Sequence, residues 1–130
     1  MLQMLVYLLL GLALTWVAYM AYVWVASQSI RGKDIHHLLD KLPSAHAQEQ
    51  LLLYCYSPSC GPCRGMNPII DAMQKHGAPI VKLDMNQDPQ LGRELEVRAV
   101  PTLLLVRHGV VEQSIIGSQS RQQIEALLRS

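Results

Sequence analysis

The chain contains three cysteines, Cys55, Cys60 and Cys63, all within "YCYSPSCGPCRGMNP", residues 54 to 68. Cys60 and Cys63 form a C-x-x-C pair, a spacing that serves either as half of a zinc site or as a dithiol that exchanges electrons. Zinc takes four ligands, usually from two such pairs or from one pair with spaced histidines. The remaining candidates are Cys55 and the five histidines His36, His37, His46, His76 and His108. None of these histidines follows the H-x3-5-H pattern, so no metal ligand is assigned. The redox reading has a positive argument. Cys60 precedes a helical pattern, where unpaired N–H groups and the helix dipole favour an anion. A thiolate is the nucleophile of disulfide exchange, so that placement activates Cys60. Cys63, one turn further on, can attack the mixed disulfide and release the substrate. Gly61 and Pro62 start the helix with little steric cost and a fixed φ. A purely structural disulfide across so short a loop would contribute little loop-closure entropy.

Several elements must position this pair. "LLLYCY" (51 to 56) is a continuous apolar run that suits a strand buried on both faces. Met66, Ile69, Ile70 and Met73 follow helical spacing up to Gly77, and Pro68 within that helix should kink it. "PIVKLDM" (79 to 85) reads as the next strand, and "DPQLGRELEV" (88 to 97) as a short helix opened by Asp88 and Pro89. "TLLLVR" (102 to 107) and "VVEQSII" (110 to 116) are strands joined by the hairpin turn "HG". "SRQQIEALLRS" has Ser120 and Gln123 at capping-box spacing and turns Ile124, Leu127 and Leu128 inward. Upstream, "DIHHLLDKLP" predicts an amphipathic helix, with Ile35, Leu38, Leu39 and Leu42 on one face, Asp34 as its cap and Pro43 as its stop. The order α-β-α-β-α-β-β-α is that of an α/β sheet layered by helices. Cys55, inside a strand, reads as a small buried apolar residue, and the histidines read as solvated.

Charge divides the chain. All 11 Lys and Arg and all 10 Asp and Glu follow Ser29, and the net charge of +1 argues against a nucleic-acid binder. Residues 2 to 26 are almost wholly apolar, and as a helix they would measure about 37 Å at 1.5 Å per residue, long enough to span a bilayer. A cleaved signal peptide fits less well, because no basic residue comes first and the apolar core is long. The organisation expected is a transmembrane anchor over 1 to 26, a polar linker over 27 to 33 ("SQSIRGK"), and one domain over 34 to 130. Arg31, Lys33 and Lys41 follow the anchor and nothing basic precedes it, so the positive-inside rule favours the cytoplasmic side for the domain.

On the CGPC motif, on Pro68 five residues after Cys63, on "VKLDMNQDP" (81 to 89) and on "VRAVPTLLLVRHG" (97 to 109), residues 48 to 130 resemble thioredoxin. The resemblance implies an α/β thioredoxin-like fold in which Pro101 is cis and lies against the active-site disulfide. It implies that Val100 offers backbone hydrogen bonds to substrate, that Gly117 lies near the same groove, and that Lys82 matches a lysine close to the site. The activity implied is reduction of protein disulfides by Cys60 and Cys63 without a bound cofactor, with electrons drawn from a reductase or another dithiol carrier.

This sequence departs from the family at three places. Tyr54 stands where thioredoxins have a buried aspartate, and Ser59 where they have a tryptophan. Lys82 is then expected to pair with Asp84, which shares its strand face, to acidify the cysteines, or simply to extend its ammonium into water. Too few residues separate the anchor from Leu51 for the family's first strand, so a four-stranded sheet is expected, with strand 80 to 85 as an edge that the linker or membrane covers. The function expected is a membrane-tethered thiol-disulfide oxidoreductase, a single-pass protein of a bacterial inner membrane. The alternatives are an extracytoplasmic dithiol carrier serving secreted proteins or cytochrome maturation, and a non-catalytic assembly module.

Overall fold

A computed structural model describes residues 1–42 and 49–130. Pro43 and His46, assigned above as a helix stop and a solvated histidine, lie outside the described residues. The elements are α1 (Leu2–Gln28), α2 (His36–Leu39), β1 (Gln50–Tyr56), α3 (Gly61–Lys75), β2 (Ile80–Asp84), α4 (Pro89–Glu94), β3 (Thr102–Arg107), β4 (Val110–Ile116) and α5 (Arg121–Arg129). The sheet has four strands in the order β2-β1-β3-β4, with β2 at an edge as expected. β1 and β2 are parallel, joined through α3, whereas β3 is antiparallel to both β1 and β4. A parallel pair needs a crossover, and α3 supplies it.

Alternation along β1 divides the core. Leu51, Leu53 and Cys55 face a cluster that includes Ile35, Leu38, Leu83, Leu104 and Val111, while Leu52 and Tyr54 face Met66, Ile70, Met73, Leu103 and Ile124. A strand buried on both faces has to be a continuous apolar run, which is why "LLLYCY" lacks polar alternation.

The punctuation is local. α3 ends with Gly77 at φ 83°, its N–H donating to the Gln74 carbonyl while that of Ala78 donates to Met73, a Schellman closure. His108 and Gly109 both have positive φ, as a two-residue hairpin with the twist of its strands requires. Ser120 and Gln123 form the reciprocal capping box of α5.

The segment before β1 departs from expectation. α1 runs unbroken to Gln28, and its stretch Leu2–Ala26 is long and apolar enough to cross a membrane, with none of it buried against the rest of the chain. The residues read as a linker are laid along β4. Gly32 N–H donates to the Val111 carbonyl at 2.7 Å, Val111 N–H to Lys33 at 3.0 Å, and Ile35 N–H to Gly109 at 2.8 Å, with a bridge between Asp34 and Val110. Ile30 and Ile35 are buried, and their burial draws the segment onto the domain. The edge it covers is therefore that of β4, not that of β2. The amphipathic helix expected over 34 to 42 shrinks to the single turn of α2. Asp34 is held in the β-bridge, so its carboxylate caps His36 N–H at 2.9 Å from outside, and i to i+3 turns follow at Lys41 and Leu42.

Candidate active site

β1 delivers the chain to the site. After Tyr56 the backbone turns through Ser57, whose carbonyl accepts from Cys60 N–H at 3.2 Å. Cys60 is the N-cap of α3 in an extended conformation, and its sulfur accepts the Cys63 N–H at 3.2 Å. Pro62 falls in the first turn, where its missing N–H would have had no intrahelical acceptor. Cys60 and Cys63 are joined in a disulfide with their Cα atoms 5.2 Å apart. The two sulfurs sit in unequal surroundings: Cys63 is fully buried, while Cys60 is half-buried beside the exposed Gly61 and Pro62. An incoming nucleophile or disulfide reaches Cys60 first.

The second half of the site comes from the far side of the sheet. Cys55 of β1 pairs with Thr102 of β3, and Thr102 with Ile116 of β4, so the loop before Thr102 lies at the same end of the sheet as the cysteines. The Val100–Pro101 peptide in that loop is cis. Thr102 Oγ1 donates to the Ala99 carbonyl at 2.7 Å, and Gly117 N–H to the Pro101 carbonyl at 2.9 Å. Gly117 has φ 102°, a backbone conformation that favours glycine.

Tyr54 lies wholly buried beneath α3. Its hydroxyl is 3.2 Å from the Cys63 carbonyl and 3.0 Å from the side-chain oxygen of Asn67. One phenolic proton cannot serve both fully; with the Asn67 amide rotated, its NH2 donates to the phenol while the phenol donates to Cys63. Burial, reinforced by the neighbouring Tyr56 and Asp71, pushes the Tyr54 phenol up to about 12. It therefore props the first turn of α3 and holds its proton at neutral pH.

Lys82 does not pair with Asp84. Its ammonium meets Asp71 Oδ1 of α3 at 2.9 Å and stands 5.1 Å from the centre of the Tyr56 ring, which stacks on Tyr54. Asp84 closes its own turn instead, accepting Asn86 N–H at 2.8 Å. Lys82 and Asp84 do share a strand face, but residues two apart on a strand are separated by about 6.6 Å, and a partner on the facing helix is nearer. Asn67, Asp71 and Tyr56 escaped the sequence reading. Helical spacing from Cys63 to Asn67 was a usable signal for the first. Where Ser59 replaces an aromatic residue, its hydroxyl lies 2.9 Å from that of Ser57.

Cys55 points away from Cys60 and Cys63 into the opposite core, and burial pushes its thiol up to about 12. It packs as a small apolar residue, as expected. His36, His37, His76 and His108 are exposed, and among the described residues no three His, Cys, Asp or Glu side chains group as a metal site would need.

The family model described as Thioredoxin matches residues 39–130. A thioredoxin of Streptomyces clavuligerus is 33% identical over 85 residues, 64% of this chain and 77% of that relative. A bifunctional thioredoxin reductase/thioredoxin of Mycobacterium leprae is 28% identical over 107 residues, 80% of this chain and 22% of that protein. Among solved structures, a mutant thioredoxin of Halobacterium salinarum is similar with a TM-score of 0.62 and 26% identity, over 77% of this chain and 85% of that one. With the dithiol, the proline loop and the four-stranded sheet in these positions, the chain belongs to the thioredoxin family.

Proposed function

We propose that the protein is a membrane-tethered thiol-disulfide oxidoreductase that reduces protein disulfides. The observation that carries this reading is the asymmetry of the pair: Cys60 half-buried at the helix N-cap, Cys63 fully buried one turn behind it. In the reduced enzyme the Cys60 thiolate attacks one sulfur of a substrate disulfide. That bond breaks, the other substrate sulfur leaves as a thiolate, and a mixed disulfide forms with Cys60. Cys63, deprotonated, then attacks Cys60 Sγ, forms the Cys60–Cys63 disulfide and expels the second substrate thiolate. Two electrons and two protons have passed to the substrate, which becomes a dithiol. Val100 and Pro101, with Gly117 behind them, form the opposite wall of the groove and align the substrate strand. Gly61 and Pro62 leave Cys60 accessible, and Lys82 with Asp71 steadies α3 against β2.

The oxidised pair must be reduced again by a reductase or dithiol carrier. The relative in which thioredoxin reductase and thioredoxin are one protein supports an electron donor of that class. Tethering is supported by α1, whose stretch Leu2–Ala26 is long and apolar enough to cross a membrane and is not buried in the domain. The cytoplasmic face is the one we propose for the domain, a reading supported by the basic residues Arg31, Lys33 and Lys41 that follow α1. Insulin reduction by the full chain in detergent tests the chemistry; it should be abolished by Cys60→Ser, and Cys63→Ser should accumulate mixed disulfides. A cellular phenotype that survives Cys60→Ser, with no insulin reduction by the unmodified chain, would leave only an assembly role. Carbonate-resistant sedimentation with membranes tests the tether, and a C-terminal reporter fusion tests the face.

A further inference from the structure

The end of α1 lies against the active-site end of the domain. Ser29 donates to Glu96 at 2.8 Å, and the Lys33 ammonium bonds Glu96 at 2.9 Å and the Glu94 carbonyl at 3.0 Å. These contacts, together with the pairing of residues 32 to 35 on β4, fix where α1 leaves the domain. β4 runs towards the active-site end, and the segment from Ile30 to Asp34 runs against it, so α1 departs past that end. Between them is a largely apolar groove of about 380 Å³. One wall is α1, through Tyr19, Tyr22 and Val23; the other includes Ala99, Thr102 and Ile116, beside Pro101. Apart from Met1 and the residues of α1, Ile116 is also the one large apolar side chain exposed among the described residues.

We infer that α1 forms part of the substrate groove and that the partner is a membrane-embedded protein whose disulfide lies at the bilayer surface. This rests on the membrane-tethered reductase reading given above. Residues 2 to 19 rise about 27 Å as a helix, close to the ~30 Å hydrocarbon thickness of a bilayer. Tyr19, Tyr22 and Trp24 then fall at headgroup level, where such rings concentrate. The groove opens at that depth, next to the proline loop. A segment that fills it while offering its disulfide to Cys60 has to lie along the membrane surface with apolar side chains turned into the groove. A juxtamembrane segment of another membrane protein has that chemistry and is held at that depth by its own span, whereas a soluble protein such as insulin reaches the exposed side of Cys60 without filling the groove.

The full chain, reduced with dithiothreitol and reconstituted in vesicles of phosphatidylcholine with phosphatidylglycerol, tests the inference. Two single-span peptides carry the same disulfide loop, one directly after the apolar span and one beyond a Gly-Ser spacer of about 15 residues that reaches roughly 20 Å. Insulin serves as the soluble reference. The near peptide should be reduced roughly tenfold faster than the far one, because only its geometry allows simultaneous engagement of groove and dithiol. A flexible insertion between Gln28 and Ser29 should abolish that preference and leave insulin reduction intact. Benzoylphenylalanine in place of Ile116 should crosslink to the near peptide. Equal rates for the two peptides with insulin still reduced, a preference that survives the insertion, or crosslinks to phospholipid alone would overturn the inference while the reductase reading stands. Loss of insulin reduction by the unmodified chain would overturn the reductase reading itself, and this inference with it.

Discussion

At the scale of single residues, three thiols of one chemistry are separated by their surroundings. In the reduced protein, iodoacetamide should modify Cys60 first, Cys63 more slowly, and Cys55 only as the chain unfolds, because the thiolate is the reactive form and Cys55 is denied it by burial. Timed alkylation read by mass spectrometry checks this order, and native labelling of Cys55 at the rate of Cys60 would contradict it. Burial also raises the Tyr54 phenol and the Cys55 thiol to about 12 each. Both groups ionise more readily in the unfolded chain. The stability they confer is therefore complete below the unfolded values, 9.0 for the thiol and 10.0 for the phenol, and is lost as pH rises towards 12. Denaturant midpoints should fall over that window, and less steeply in Cys55→Ala. Tyr54→Phe should cost about 1 kcal/mol for the lost hydrogen bond and leave the pH profile of disulfide exchange near neutrality unmoved. A profile that shifts would make the phenol a participant in the chemistry. The dithiol was legible in the sequence because its motif is contiguous. The Lys82–Asp71 contact was not: strand alternation finds neighbours on one strand, whereas Asp71 comes from the helix packed over it.

At the scale of elements, two helices end with the same hydrogen bonds on different residues. α3 uses Gly77, and α4 uses Glu96 at φ 53°, with Val97 N–H donating to Gly92 and Glu96 N–H to Arg93. A side chain in that conformation costs roughly 1–2 kcal/mol relative to the right-handed region. Glu96 is retained there while its carboxylate binds Ser29 and Lys33, whose hydrogen bonds hold it below the usual carboxylate range. Gly77→Ala should lower stability by about 1 kcal/mol, read as a drop of some 4–8 °C in the melting midpoint for a domain of this size. Glu96→Gly should instead leave the midpoint almost unchanged, since the relieved strain offsets a partly exposed ion pair worth ~0–1 kcal/mol. It should nonetheless speed amide exchange across residues 31 to 33, because the junction with α1 is released. Unaltered exchange there would mean that the carboxylate does not hold the junction. Elements closed by local signals, such as the His108–Gly109 turn and the Ser120–Gln123 box, were readable one residue at a time. α2 and the supposed linker were not, because their conformation is set by β4, some 75 residues away in sequence.

At the scale of the whole molecule, a sheet of four strands has two edges, and this chain treats them differently. The β4 edge is closed by the segment that ends α1, with Ile30 and Ile35 sunk into the core. The β2 edge carries Lys82 and Asp84, charges of the kind that discourage pairing with another chain. A strand ahead of β1 of the kind the resemblance implies would have covered β2, whereas residues 32 to 35 pair with β4. Native-state hydrogen exchange should therefore rank the central strands β1 and β3 as slowest, Val111 of β4 as protected through its bond to Lys33, and the β2 amides that face away from β1 as fastest. Ile30→Asp separates the edges experimentally. It replaces a buried apolar side chain with a charge, at a cost of about 3 kcal/mol, and should peel the segment from β4. Exchange at Val111 and Ile35 should then rise to that of exposed backbone, while β1 keeps whatever protection the reduced global stability allows. If Val111 stays protected in Ile30→Asp, the closure of the β4 edge does not depend on the chain that leads out of α1, and the domain holds its sheet without help from that helix.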